Sequence, residues 1–529
     1  MLRTLVMVIG IFSISVASSA AQAQQLQQPG PSGSITHLLP RWPSDAEYLV
    51  LSTSENKTRL FIRKPEQTSS TPDLRLLEDL RDLAAIVPFG GSERCAAERS
   101  AADIVVSCAE GFDPEGVLIR FYGKLPPGAA ARALVETKGS KEFRLQFVNL
   151  GEDATAAKAA SGQLNLALPP RADGPLQLVI LGPQSGGSLR VTDLRLAPTH
   201  PPRALDSGAW AWHPQAWQED SDALLRPAIE RRLKHLYITL DIAGGQVEHA
   251  AELTRFLRAA SGAGISVEAV EGDPRMVLPE GLANALDRAR AIARFQKSAP
   301  AAARLSGVQY DIEPYVLPGW GTAPVDHKAW SNAVNALADA VNGQLHLVLP
   351  FWVASEPAGA QFLRDVEASV NAVTVMSYRA DGALAAHLAQ PLLNWGGSAH
   401  KRVRIALEAG PVPSEVEETF VPATSGQLAL VETAGQVTAT HLSEPQVVPG
   451  AKMYASRGKV QTRSDRISFL GNERAMMEAA EDVARVASAW ESFAGISYHG
   501  LAWSSRQRDP SPVSGSQPVS DENPRSRQE

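Results

Sequence analysis

The stretch Gly307-Val-Gln-Tyr-Asp-Ile-Glu-Pro-Tyr315 holds the residue types best suited to chemistry in this chain. Val308, Tyr310 and Ile312 alternate with Gly307, Gln309, Asp311 and Glu313. Side chains of a strand alternate between its faces, so Asp311 and Glu313 project to one side. Their backbones lie about 6.6 Å apart, two rises of a strand. Pro314 has no N–H to donate and ends the ladder. Two carboxyls at a strand end can divide the work at an acetal carbon, one giving a proton and the other steadying charge. The plainer alternative is a salt-bridged strand end.

The elements that must position these acids form a regular series. From about 205 to 505, strands alternate with amphipathic helices. Strands are expected at 209–212, 235–242, 265–270, 307–313, 345–351, 373–378, 403–408 and 496–503. Helical stretches are expected at 247–260, 280–295, 327–341, 358–369 and 473–490. Eight β/α units predict a (β/α)8 TIM barrel. Leu236, Ile238 and Leu240 would face helices, leaving Tyr237, Thr239 and Asp241 inward. Likewise Arg404, Ala406 and Glu408 point inward from the seventh strand, and Thr374, Met376 and Tyr378 from the sixth. Polar residues therefore collect at the strand C-terminal ends, the active-site face of such barrels.

Strand counting sets Asp311 and Glu313 at the end of the fourth strand, Tyr378 at the sixth and Glu408 at the seventh. His499 and Trp503 fall on the eighth. Trp212, Asp241, Glu271, Asp273 and Arg379 lie near the same mouth, placed to bind substrate. Each has a structural alternative. Asp311 could pair with Arg379 or Arg404, and Glu408 with Arg404. Tyr378 could fill the barrel, and His499 could be a core histidine. Trp212 and Trp503 could stack on sugar rings or simply pack in the core. Asp241, Glu271 and Asp273 could cap loops. Arg379 could grip an anionic sugar with both arms of its fork or hold Asp311.

Residues 45–198 read as short strands with Gly and Pro turns, which predicts a β-sandwich. Its last stretch, Gly187-Ser-Leu-Arg-Val-Thr-Asp-Leu-Arg-Leu-Ala197, resembles the closing strand of jelly-roll carbohydrate-binding modules. A spacer domain is the alternative. An insertion at about 411–470, between the seventh and eighth strands, is expected to be a β-hairpin over the barrel mouth. Residues 1–23 have the charged start, apolar run and Ala21-Gln-Ala23 site of a signal peptide. Residues 24–44 read as a flexible leader, 199–505 as the barrel domain and 506–529 as a disordered tail.

The 529-residue chain has a net charge of −7 with both signs interspersed, so it carries no nucleic-acid footprint. No later apolar run is long enough to span a bilayer. A periplasmic or secreted protein is expected. Its two cysteines, Cys95 and Cys108, could form a disulfide in an oxidising compartment or remain two thiols. Neither belongs to a zinc-binding pattern, and no metal or organic cofactor is implied.

The segment Leu305-Ser-Gly-Val-Gln-Tyr-Asp-Ile-Glu313 resembles the fourth-strand motif of family 18 glycoside hydrolases, the chitinase-like enzymes. Val375-Met-Ser-Tyr-Arg379 resembles their sixth-strand Met-x-Tyr-Asp. That resemblance implies Glu313 as the acid on the glycosidic oxygen. Asp311 and Tyr378 would orient a substrate acetamido group that attacks its own anomeric carbon. Ser306 and Gln309 stand where the family has earlier acids, and Arg379 where it has Asp. Glu313-Pro314 with Glu408 in Ile405-Ala-Leu-Glu-Ala-Gly410 resembles the retaining (β/α)8 glycosidases. It implies Glu313 as acid/base and Glu408 as nucleophile, with Ile312 where those enzymes usually have Asn. The series Glu271-Gly-Asp-Pro274, Asp311-Ile-Glu-Pro-Tyr315, Met376-Ser-Tyr-Arg379, Leu407-Glu408 and Ile496-Ser-Tyr-His499 is similar to uncharacterised bacterial secreted glycosidase-like barrels.

The expectation is an exported glycoside hydrolase or transglycosylase acting on a bacterial polysaccharide or cell-surface glycan. Glu313 is its general acid/base and Asp311 or Glu408 its second carboxylate. The alternative is a non-catalytic glycan-binding or polysaccharide-assembly protein on the same barrel.

Overall fold

A computed structural model describes residues 35–39, 42–44, 47–54, 57–63, 73–89, 94–112, 115–149, 152–153, 156–168, 176–200, 205–317, 320, 325–433 and 435–503. The expected signal peptide and tail lie outside them. The chain divides into two compact units. One takes its described residues from Met1–Glu66, Tyr315–Asp326 and Glu415–Gln461, the other from the remainder.

The larger unit contains a closed barrel of eight parallel strands. They are Ser207–Ala211, His235–Ile238, Ser266–Glu271, Gly307–Tyr310, Leu345–Pro350, Ala372–Met376, Arg402–Glu408 and Phe493–His499. The first strand closes the ring on the eighth, with Ser207 opposite Ile496. Helices between the strands start on side-chain caps where the sequence supplies them. Asp220 accepts the Ala223 N–H at 3.1 Å, Asp381 that of Leu384 at 2.9 Å and Asn472 that of Ala475 at 3.1 Å. Helix Glu473–Ala487 buries Met476, Ala480, Val483 and Ala487, the stripe that a 3.6-residue turn demands.

The barrel interior is filled in layers. At the N-terminal end Arg404 donates to Asp206 at 2.9 Å, and His235 Nε2 meets the same oxygen at 2.8 Å. His346 Nδ1 pairs with Glu268 at 2.7 Å. Gln309 accepts from Trp210 Nε1 at 2.7 Å and donates to Thr374 at 3.3 Å. Trp210, Tyr237, Val270, Val348 and Ala406 form the apolar plug, with Trp212, Met376 and Tyr378 against it. Tyr237, Thr374, Arg404 and Ala406 are thus all inward, as strand alternation requires.

Several strand ends differ from expectation; the sixth strand stops at Met376 and the eighth at His499, short of Tyr378 and Trp503. The second strand stops at Ile238 and the fourth at Tyr310, so Asp311 and Glu313 lie just beyond the ladder. Asp311 keeps one further bond, from its N–H to Glu271 O at 2.8 Å. Pro314 then opens a short 3-10 turn.

Two antiparallel sheets precede the barrel in the same unit. One runs Glu152–Asp153, Phe143–Asn149, Gln177–Leu181, Gly116–Phe121, Ala84–Phe89, with Ala157–Ala159 also on Phe143–Asn149. The other runs Gly162–Leu166, Ala131–Gly139, Gly187–Pro198, Ile104–Cys108, Cys95–Arg99. Ile119, Phe121, Leu145, Phe147, Leu178 and Ile180 are buried on the first, and Ile104, Val106, Val135, Leu189 and Val191 on the second. Cys95 and Cys108 face each other across an antiparallel pair and are joined by a disulfide. This region meets the barrel through the Ala130 N–H on Ala489 O at 2.8 Å and Trp490 Nε1 on Pro127 O at 3.0 Å.

The smaller unit corrects the expected partition. Its seven-stranded sheet runs Ile35–Leu39, Gln436–Gln446, Gly426–Thr433, Lys452–Thr462, Glu415–Ala423, Tyr48–Ser54, Lys57–Arg63. The strands at 48–63, expected in the β-sandwich, join this sheet instead, Tyr48–Ser54 pairing with the insertion so that Leu49 lies opposite Phe420, and Lys57–Arg63 pairing with Tyr48–Ser54. The insertion is four strands rather than a hairpin. Residues 35–39, expected within the flexible leader, form an edge strand on Gln436–Gln446. Leu49, Leu51, Phe420, Leu428, Leu430 and Tyr454 make the shared core that rewards this long-range pairing.

Candidate functional site at the barrel mouth

Glu408 ends the seventh strand with only 3% of its surface exposed. Its Oε1 accepts the Gly410 N–H at 2.6 Å, and its Oε2 meets His499 Nδ1 at 2.7 Å. Two glycines allow this close fit. A Cβ on Gly410 would come within 2.9 Å of Oε1, and one on Gly500 within 2.6 Å. Gly500 also has φ +70°, a backbone region that L side chains rarely adopt.

On its other side, His499 Nε2 lies 2.9 Å from Trp212 Nε1. The indole N–H can only donate, so Nε2 carries the lone pair and Nδ1 the proton that Glu408 accepts. Tyr378 stacks on the imidazole at 6.0 Å, and Trp210 meets its edge at 5.7 Å. A relay thus runs from the Gly410 amide through Glu408 and His499 to Trp212.

Asp311 and Glu313, both half-buried, complete the cluster from the fourth strand's end. Gly272 makes room there, since a Cβ would come 2.6 Å from Asp311 O. Electrostatics show the convergence. Burial pulls the His499 pKa down, but the Glu408 bond and the charges of Glu408, Asp311 and Glu313 together raise it above the ordinary value. Burial, followed by the same three carboxylates, pushes Tyr378 well above the usual phenol range. Tyr378 therefore stays protonated and can donate. Residues from the first, fourth, sixth, seventh and eighth strands meet at one place.

Other expected site residues have different tasks. Glu271 is taken up by Arg288 of helix Pro279–Ser298 through two bonds of 2.7 and 2.8 Å. The same guanidinium donates to Leu240 O at 3.1 Å, so the pair braces strand ends against a helix. Burial raises the Glu271 pKa by more than Arg288 lowers it. Asp273 accepts the Arg275 N–H at 2.8 Å and pairs with its guanidinium at 2.7 Å, capping the Pro274–Val277 turn. Asp241 accepts from Gln218 at 2.6 Å. Arg379 donates to Tyr378 O at 2.6 Å and lies over the Phe351 ring at 5.6 Å.

Trp503 is 8% exposed and donates to Trp210 O at 3.0 Å, so it is wall rather than platform. Trp212 is half-buried. Arg404, a possible partner of Asp311 or Glu408 on the sequence, binds Asp206 instead. Trp210 was not among the residues expected at the mouth. Its signal was parity with Trp212, two residues further on. Among the described residues no group of three or more His, Cys, Asp or Glu side chains is arranged to hold a metal ion. No helix among them is long and apolar enough to cross a membrane.

No family model matches the chain, and no curated protein does. Solved structures do resemble it. A chitinase from Chromobacterium violaceum is 13% identical, covering 56% of this chain and 93% of its own, with a TM-score of 0.32. The spore cortex-lytic enzyme SleL of Bacillus cereus is 10% identical, covering 58% and 73%, with a TM-score of 0.31. A class V chitinase from Pseudomonas fluorescens is 13% identical, covering 56% and 94%, with a TM-score of 0.30.

Proposed function

We propose that the barrel mouth is the active site of an exported glycoside hydrolase or transglycosylase acting on a bacterial polysaccharide or cell-surface glycan. The observation that carries this is the convergence of Asp311, Glu313 and Glu408 on Tyr378 and His499. Glu313 is the general acid. It donates its proton to the glycosidic oxygen as the bond to the anomeric carbon breaks, then takes a proton from the incoming water.

The geometry favours Asp311 over Glu408 as the second carboxylate. Glu408 is almost fully buried, and both of its oxygens already accept hydrogen bonds. Its role is to fix the His499 tautomer and, through it, the Trp212 edge. Asp311 and Tyr378 then steady the group that attacks the anomeric carbon, which in the substrate-assisted scheme is the sugar's own acetamido oxygen. Water opens the resulting ring and restores the acetamido group.

The decisive assay is reducing-end release from a panel of acetamido and plain glycans. Glu313→Gln should abolish release while leaving glycan binding intact. Equal activity of variant and wild type on every glycan that binds would reject the enzymatic reading. One observation favours the non-catalytic alternative. Gln309, two residues before Asp311, is an amide committed to Trp210 and Thr374. It offers Asp311 no neighbouring acid with which to exchange a proton.

A further inference from the structure

The sheet Phe143–Asn149, Gln177–Leu181, Gly116–Phe121, Ala84–Phe89 has one buried face and one more exposed face, on which Val179 carries the one buried side chain among the described residues, and the more exposed face is basic. Its rows follow from register. Ala85, Arg120, Gln177 and Val148 lie in one row. Val87, Leu118, Val179 and Gln146 form the next, and Phe89, Gly116, Leu181 and Arg144 the third. Tyr122, one residue past its strand, continues the same parity and is 68% exposed; Phe89 is 40% exposed.

None of the four strands contains Asp or Glu. Arg120 and Arg144 are both exposed, and neither has an ion-pair partner among the described residues. Among the described residues, acids stand at the rim. Glu142 is paired there with Lys158 at 3.7 Å, and Asp153 stands opposite Val148 on the outermost strand. The companion sheet differs. Two of its arginines are paired, Arg190 to Asp103 at 3.0 Å and Arg195 to Asp193 at 2.7 Å.

We infer that this face binds an extended anionic polysaccharide, with Arg120 and Arg144 each taking a carboxylate and Tyr122 and Phe89 stacking on sugar rings. Guanidinium forks match carboxylates in geometry as well as charge. The arginines stand two strands and four residues apart, roughly 17 Å on sheet spacings, so one small anion cannot reach both. Gln146 and Gln177 supply donors and acceptors for sugar hydroxyls between them. The chain as a whole is acidic, at −7, so the basic face is local rather than a general property.

The test is affinity electrophoresis of the full chain through gels containing polygalacturonate, with fully methyl-esterified polygalacturonate as the uncharged control. Wild type should be retarded by the acid polymer and not by the ester. Arg120→Ala with Arg144→Ala should weaken binding at least tenfold, and high salt should weaken it in wild type. Tyr122→Ala should weaken it while sparing the charge dependence. Equal retardation by acid and ester, equal binding of double variant and wild type, or no retardation by the acid polymer would each overturn the inference. Glu313→Gln should bind polygalacturonate as wild type does. Failure of this face and failure of the barrel mouth are therefore read separately.

Discussion

The two ends of the barrel interior use charge in opposite ways. At the N-terminal end each acid has a committed base: Asp206 takes Arg404 and His235, and Glu268 takes His346. At the C-terminal end Asp311, Glu313 and Glu408 all act on the same imidazole and the same phenol. Matched pairs hold a barrel shut and leave little for a ligand to do. Several carboxylates gathered on shared neighbours compete for protons, which is the condition under which acid and base roles separate.

That contrast can be broken from either end. The largest effect is expected at the mouth, where Glu313→Gln should lower turnover by about 10²–10⁴. Its melting temperature should stay within a degree or two of wild type. A large loss of stability would instead make Glu313 part of the framework. At the other end, Asp206→Asn should leave catalysis alone and cost about 2–3 kcal/mol in denaturant unfolding. This is less than the loss of a fully buried pair, because Asp206 is 38% exposed while Arg404 is 8% exposed. Burial raises the Asp206 pKa, but the His235 bond and the Arg404 charge together bring it below the ordinary value. The stability it lends is therefore present above the unfolded pKa, about 3.9, and is lost as pH falls through the lower folded value.

Glu408→Gln sharpens the comparison further. Removing the acceptor charge should lower the His499 pKa, read by NMR titration of the ring. No change would mean that Asp311 and Glu313 alone hold the imidazole. The sign for His499 is opposite to that for Asp206. Its folded pKa is raised, so its contribution is complete below about 6.5 and fades as pH rises through the folded value. The stability gap between wild type and His499→Gln should shrink accordingly in alkaline solution. Trp212→Phe should have the smallest effect, under about 1 kcal/mol of stability, since it removes one partly exposed hydrogen bond. It should raise the His499 pKa, because the lone pair on Nε2 is no longer required. An unchanged titration would remove Trp212 from the relay.

Much of the barrel was legible because its signals are local. All eight strands overlap stretches picked out by apolar runs and turn residues, with ends displaced by a few residues. Inward parity followed from a period of two. The same parity brought Asp311, Glu313, Tyr378, Glu408 and His499 to the mouth. The assignment of Glu271 was harder, because its partner Arg288 lies seventeen residues away on a helix face that no strand pattern describes. Trp503 had the right parity but ended under Trp210.

The sequence by itself determined the order and facing of the barrel strands, since side-chain alternation and helix periodicity depend on near neighbours in the chain. Only the tertiary structure decided which partner each polar group took. It gave Arg404 to Asp206, both oxygens of Glu408 to Gly410 and His499, and the strands at 35–63 to an insertion nearly four hundred residues later. Such choices turn on packing and desolvation between distant segments, whose energies no local pattern encodes.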